Sequence, residues 1–523
     1  MHPSLIRAAT ATLATAICLF GGIPCRAQAD PEPAQSRLGI NLNGPADWNS
    51  EIPFVDVFRL SREWISQREG AGWGKGPGLS RDKSGWVTKL EPNCWAETPM
   101  LTIANGRFPA GEYVVLYEGT GKIVLSNVDA IVSEAPGRIV FRPKAGSGGF
   151  FLRLSETDPN DHVRNIRVLL PGCEKTYTAE PFRAEFLKRW SGFNTIRFMD
   201  WALTNGSPQR DWADRPTPEY CNFTEKGVPV EVMVDLCNRL KANAWFCVPH
   251  AATDDYVRRL AELVKAKLDP SLRVHIEYSN EVWNGMFPQT AHSVAQAKAL
   301  GLGPKERPWE GGGMYYARRS VEIFRIWEQV FGGRERLVRV LSWQAVSPWW
   351  TENIILPSED ACKSADALAI APYFAMLIGP QTTPNSDTVA GWTVDRVLDY
   401  TENTALPEAL KAVAGQKRAA DKFGLRLVAY EAGQHLVGVG GGENNEKMTA
   451  LFLAANRHPR MGALYTKYLD AWKAAGGDLM CLFASTGGWS KWGSWGLTEY
   501  YDETEADQPK LKAVTEWNRA NPL

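Results

Sequence analysis

The sequence predicts an α/β fold: a closed (β/α)8 TIM barrel with an inserted small antiparallel β-sandwich-like domain. Three observations lead there. Eight short apolar runs recur along the chain, amphipathic helical stretches fill most gaps between them, and one long gap shows Gly/Pro turns between alternating runs. Strands buried on both faces read as continuous apolar runs, and eight of them joined by helices close a barrel rather than an open sheet.

The runs are Leu38–Gly44, Asn194–Trp201, Ala244–His250, Arg273–Glu281, Arg336–Trp343, Ala367–Tyr373, Leu425–Glu431 and Asp478–Ser485. Between them Val230–Lys241, Asp254–Lys267, Gly313–Phe331 and Asn445–Ala474 place apolar residues at three- and four-residue steps, the period of a helix face. From Gly85 to Gly172 that period is lost. Short alternating runs such as Tyr113–Tyr117, Lys122–Leu125, Arg138–Arg142 and Phe150–Leu154 predict antiparallel strands instead. The expected domain order is therefore a signal segment over 1–29, the first strand and helix of the barrel over 37–84, the β-insertion over 85–172 and the rest of the barrel over 173–523.

At the N-terminus Arg7 precedes an apolar run, Ala8–Ile23, and Ala27-Gln28-Ala29 supplies small residues for cleavage before Asp30. That run is too short to span a bilayer, so export to the periplasm or outside the cell is expected, with the signal peptide cleaved after Ala29. The formal net charge is −1, from 58 basic and 59 acidic residues without charge blocks, which points to neither nucleic acid nor an anionic membrane as partner. Beyond the signal lie seven cysteines and no CxxC pair, which speaks against a zinc or redox site; Cys94 and Cys173 flank the insertion and are the expected disulfide in an oxidising compartment. The chain holds 21 tryptophans, a supply of flat apolar faces that suit core packing and the stacking of sugar rings alike.

Two strand ends carry the chemistry. His275-Ile276-Glu277-Tyr278-Ser279-Asn280-Glu281 ends the fourth run, and Leu427-Val428-Ala429-Tyr430-Glu431 ends the seventh. In a barrel the C-terminal strand ends line the active face, so Glu281 and Glu431 face each other across the mouth. A proton-donating carboxyl opposite an attacking carboxylate is what glycoside hydrolysis needs.

This pairing resembles the clan A glycoside hydrolases, retaining β-glycosidases that include cellulases and mannanases. There an Asn-Glu ends strand four and the nucleophile ends strand seven. The resemblance covers about 37–44 and 180–523, and leaves the insertion aside. It implies Glu281 as acid/base with a raised pKa, Glu431 as nucleophile with a low one, and Asn280 on the sugar 2-hydroxyl. It implies Arg197 beside Glu431, His250 and Tyr373 on substrate or nucleophile, and a stacking Trp after strand eight. Of Trp489, Trp492 and Trp495, Trp489 lies nearest the strand end. Ala371 departs from the His usual two residues before Tyr373. The implied activity is secreted, endo-acting hydrolysis of a β-linked, neutral glycan by double displacement, with no metal or organic cofactor. Alternatives are a catalytically inactive glycan-binding barrel, a transglycosylase using the same residues, or a surface protein working through the insertion. Trp201, Trp283, Trp343, Trp349 and Trp350 are further cleft candidates.

Overall fold

The computed structural model describes residues 36–522. The expected signal segment, Met1–Ala29, lies outside the described residues. Eight parallel strands close a barrel in chain order: β1 Leu38–Asn41, β2 Thr195–Arg197, β3 Asn243–Val248, β4 Val274–Tyr278, β5 Leu337–Ser342, β6 Ala367–Ile370, β7 Arg426–Ala429 and β8 Met480–Phe483. Each falls on one of the eight apolar runs. Closure is made by β8 pairing in parallel with β1, from Leu38 opposite Met480 to Asn41 opposite Phe483.

Side-chain alternation sorts each strand between two cores. Ile196, Phe198, Ile276, Tyr278, Leu427 and Ala429 point outward into the layer shared with the helices. Met199, Trp245, Cys247, Val428 and Tyr430 point inward and fill the barrel. The same alternation turns Arg197 and Glu277 inward, and both are fully buried. A charged pair inside a barrel is costly unless each member meets the other, so this placement already sets the geometry of the mouth.

The helices follow their sequence signals. Asp254–Lys267 starts at Thr253, whose hydroxyl accepts from the Tyr256 N–H, and buries Tyr256, Val257, Leu260, Ala261 and Val264 along one stripe. The expected helix over 445–474 is two, Glu446–Arg457 and Pro459–Ala474. Pro459 lacks an N–H and its ring clashes with the preceding turn, so the first helix stops at Arg457. The stretch expected from Gly313 begins at Pro308, the first helical position, where proline's missing N–H costs nothing.

The antiparallel part forms two four-stranded sheets between β1 and β2. One joins Ile65–Arg68, Cys94–Met100, Phe150–Thr157 and Gly121–Ser126; the other joins Arg164–Leu169, Tyr113–Glu118, Arg138–Pro143 and Val128–Ala135. They share a core around Phe58, Trp64, Trp86, Tyr113, Phe141 and Phe150. Two expectations are not met here, one on the first helix and one on a disulfide. No α-helix occurs over 37–84, where a single 3-10 turn, Val57–Leu60, precedes strand Ile65–Arg68. Glycines cluster over 70–78, where they disfavour a helix, and Trp64 and Trp86 are drawn into the core of the insertion, leaving the covering helix to Ala184–Trp190. The expected Cys94–Cys173 disulfide is absent: both are free thiols. Cys94 is buried at the start of strand Cys94–Met100, whereas Cys173 packs against the insertion's core and turns its sulfur to the Pro171 carbonyl at 3.7 Å.

Candidate active site

The mouth of the barrel is organised around Arg197. Its Nε and Nη2 donate to Glu277 Oε2 at 3.1 and 2.9 Å, and Nη1 donates to Glu431 Oε1 at 2.9 Å and to Asn41 Oδ1 at 3.0 Å. Nη2 also reaches Asn280 Oδ1 at 2.8 Å. A planar fork with five N–H groups suits this convergence, which a lysine cannot reproduce. The guanidinium also lies over the rings of Tyr430 and Trp245, 5.0 and 5.6 Å from their centroids. Glu277 Oε2 takes Trp245 Nε1 at 2.9 Å and the Cys247 thiol at 3.4 Å as well, so Glu277 is the counter-ion that seats Arg197 in the barrel.

Glu431 follows β7 at the rim, with Arg197 on one oxygen and the Tyr373 hydroxyl donating to the other at 3.0 Å. Burial raises its carboxyl above the ordinary glutamate value, and the opposing pulls of Arg197 and Tyr373 do not cancel it. The low value expected from the sequence is thus not what the site builds: Arg197 is shared with Glu277, whose own charge pushes Glu431 further up.

Glu281 ends the β4 turn. Ser279 and Glu281 both have left-handed backbones, with φ of 60° and 42°, a conformation unusual for side chains other than Gly and Asn. The turn brings Glu281 Oε1 to the Tyr430 hydroxyl at 3.0 Å and Oε2 to Asn284 Nδ2 at 2.9 Å. Burial, then the charge of Glu431, push its pKa to about 7. No guanidinium touches it. Of the two glutamates, Glu431 with its direct cation ionises first and Glu281 keeps the proton, a division of roles that environment alone imposes on two like groups.

The structure therefore brings together Arg197, Asn280, Glu281, Tyr373 and Glu431. It adds four residues that sequence reading missed. Asn41 donates from Nδ2 to the Tyr430 carbonyl at 2.9 Å and so ties β1 to β7; Asn205 accepts from Asn280 Nδ2 at 3.1 Å. Tyr430 links the two glutamates' strands, and its signal was its inward parity just before Glu431. His435 stands 5.2 Å from the Tyr373 ring and, with burial holding it down at about 4, presents a neutral imidazole.

Two expected residues lie elsewhere. His250 turns to the helical layer, where its ring meets His292 edge-on at 5.0 Å and lines a cavity of about 660 Å³ with Tyr315 and Arg319. Past the last β3 residue the strand alternation no longer governs direction, so position alone misplaces it. Trp489 is 9% exposed, its Nε1 donates to the Gly496 carbonyl, and Lys510 Nζ sits 4.0 Å from its ring centroid. Its face is covered. Trp495 instead stands beside Phe483 and His435, at 6.0 and 5.4 Å between centroids, on the side of Tyr373. Trp495→Ala is expected to raise KM about tenfold, the cost of a lost aromatic contact. Trp489→Phe should leave KM within about twofold while lowering Tm, because only a hydrogen bond inside the loop is lost. Steady-state kinetics and a melting curve check both. Trp201 and Trp343 are buried behind the strands, and Trp349 is half exposed.

Among the described residues, no group of three or more His, Cys, Asp or Glu side chains is placed to hold a metal ion, and no helix is long and apolar enough to cross a membrane. No family model matches the sequence, and no curated protein matches it. Solved structures are similar only in part. A 4-O-α-L-rhamnosyl-β-D-glucuronidase from Fusarium oxysporum has 11% identity and a TM-score of 0.38, over 64% of this chain and 63% of that one. A GH51 arabinofuranosidase from Xanthomonas axonopodis pv. citri has 13% identity and a TM-score of 0.35, over 58% and 61%. A GH5-4 broad specificity endoglucanase from Clostridium longisporum has 10% identity and a TM-score of 0.35, over 66% and 89%. The chain thus spans less than two thirds of the first two. The barrel assignment rests on the strand pairing above.

Proposed function

We propose that this protein is a secreted retaining glycoside hydrolase of the clan A type, cutting a β-linked glycan by double displacement. One observation carries the reading: two carboxyl groups at the ends of β4 and β7, one paired with a buried guanidinium and the other near neutrality without one. Glu431 attacks the anomeric carbon as the glycosidic C–O bond breaks, and Glu281 passes its proton to the leaving oxygen. Glu281, now a carboxylate, then takes a proton from water; the hydroxide adds to the same carbon and frees Glu431. Both steps pass through an oxocarbenium-like transition state in which a hydrogen bond to the 2-hydroxyl strengthens. Asn280, with Oδ1 fixed by Arg197 and one Nδ2 hydrogen not engaged by Asn205, is the donor assigned to it. Trp495 and Phe483 form the wall against the ring.

The test is hydrolysis of soluble β-glycans by wild type, Glu281→Ala and Glu431→Ala with azide. The expected products are an α-glycosyl azide from Glu431→Ala and a β-glycosyl azide from Glu281→Ala. A wild type that binds glycan and cuts none would make the barrel a binding protein; products longer than the donor would make it a transglycosylase.

A further inference from the structure

We infer that Asp200 lines the glycone subsite as a reader of sugar hydroxyls, and that the site takes a neutral glycone and excludes a uronic acid. This rests on the glycosidase reading above.

Asp200 lies three residues beyond Arg197, in the turn that closes β2, and stands against Gly44 beyond the end of β1: a Cβ at Gly44 would be 3.5 Å from that of Asp200. The other carboxyls of the mouth have internal donors. Glu277 has Arg197 and Trp245, Glu431 has Arg197 and Tyr373, and Glu281 has Asn284 and Tyr430. Asp200 is partly exposed and, among the described residues, its carboxyl has neither hydrogen bond nor ion pair. It belongs to the mouth by position, just past the Arg197 that holds Glu431, and burial and the charge of Glu431 push it to about 7, with Arg197 pulling back. A half-buried carboxyl kept without a partner costs stability in the free protein, and that cost is recovered when a ligand supplies O–H donors.

Charge decides the class of sugar. Among the described residues, Arg197 is the cation in contact with either catalytic glutamate, and Glu277 already balances it. Glu431, once ionised, then leaves the mouth negative, and Asp200 adds to that charge as pH rises through about 7. A carboxylate on the sugar ring would enter that field with the Arg197 guanidinium already engaged by Glu277 and Glu431, and a like charge at contact range in a partly buried site opposes binding strongly.

The experiment compares kcat/KM on p-nitrophenyl β-glycosides of glucose, mannose and galactose with those of the matching uronic acids, for wild type, Asp200→Asn and Asp200→Ser, with Tm measured alongside. Wild type is expected to prefer a neutral glycoside over its uronide by about 100-fold or more. Asp200→Asn is expected to lose about tenfold on the neutral glycoside and to narrow the ratio by about tenfold, with Asp200→Ser following. A loss of both activities in proportion, with a lowered Tm, would show a structural role and overturn the assignment. So would an unchanged ratio. If both variants fail to fold, the wild-type ratio still decides, since a preference for a uronide overturns the inference. A wild type that cuts no glycoside or glycan overturns the glycosidase reading itself, and this inference with it.

Discussion

Glu431→Ala is expected to lower kcat/KM by roughly 10⁴-fold or more, the scale of losing a covalent nucleophile. Glu281→Ala should cost about 10²- to 10⁴-fold, and least on substrates whose leaving group departs without a proton. The pH profile separates the two roles. In the proposed mechanism Glu281 must be protonated and Glu431 ionised. Glu281 has its carboxyl raised to about 7, so activity should hold below that pH and fall about tenfold per unit above it. Glu431 is raised from the ordinary value of 4.5, so the acidic limb should lie above 4.5 rather than below it. The two limbs belong to the coupled pair. Glu281→Gln should abolish the alkaline limb and leave the acidic one nearly in place, because Glu281 is already protonated and uncharged where Glu431 titrates; it is loss of the Glu431 charge that would move Glu281. An alkaline limb that persists in Glu281→Gln would assign the proton to another group, with Asp200 next in line.

Much of this arrangement is legible in the chain. Eight short apolar runs alternating with helical stretches fit strands covered on both faces better than helices of so few residues, so the barrel is readable from pattern and length together, and Glu281 and Glu431 from their strand-end positions. Arg197 is legible in place but not in partnership. Glu277 lies in the same run as Glu281, and only the inward alternation of β2 and β4 shows that it faces Arg197 rather than solvent. What fails lies past the strand ends. His250 and Trp489 sit where backbone direction is set by turns and by distant contacts, Trp489 by Lys510 from the C-terminal helix Pro509–Ala520. No local period encodes such contacts. The early edge of the insertion was missed because Ile65–Arg68 is a short strand that takes its place in the sheet only by pairing with Cys94–Met100.

The second large effect concerns stability and activity together. Arg197→Met is expected to destabilise the protein by about 3–5 kcal/mol, because it leaves Glu277 and Glu431 buried without their cation. Tm should drop by about 3–5 °C, since a chain of this length has an unfolding entropy of about 1 kcal/mol per kelvin. A Met of similar length packs against Tyr430 and Trp245, so the cost comes from orphaned charge more than from lost volume. That distinction can be measured. In Arg197→Met/Glu277→Gln the larger of the two uncompensated partners is neutralised, and the double variant should be more stable than Arg197→Met alone by about 1–3 kcal/mol. Activity should not return with it. Glu431 would still lack the donor at 2.9 Å that keeps it ionised beside a protonated Glu281, and Asn280 would lose the bond that aims it. Arg197→Lys sits between the two: it keeps the charge but cannot serve Glu277, Glu431, Asn41 and Asn280 at once, so most of the stability should be retained while kcat falls about 100-fold. If the double variant were no more stable than the single, Glu277 would not be the counter-ion described here. If Arg197→Lys kept full activity, the geometry of the fork would matter less to Glu431 than its charge.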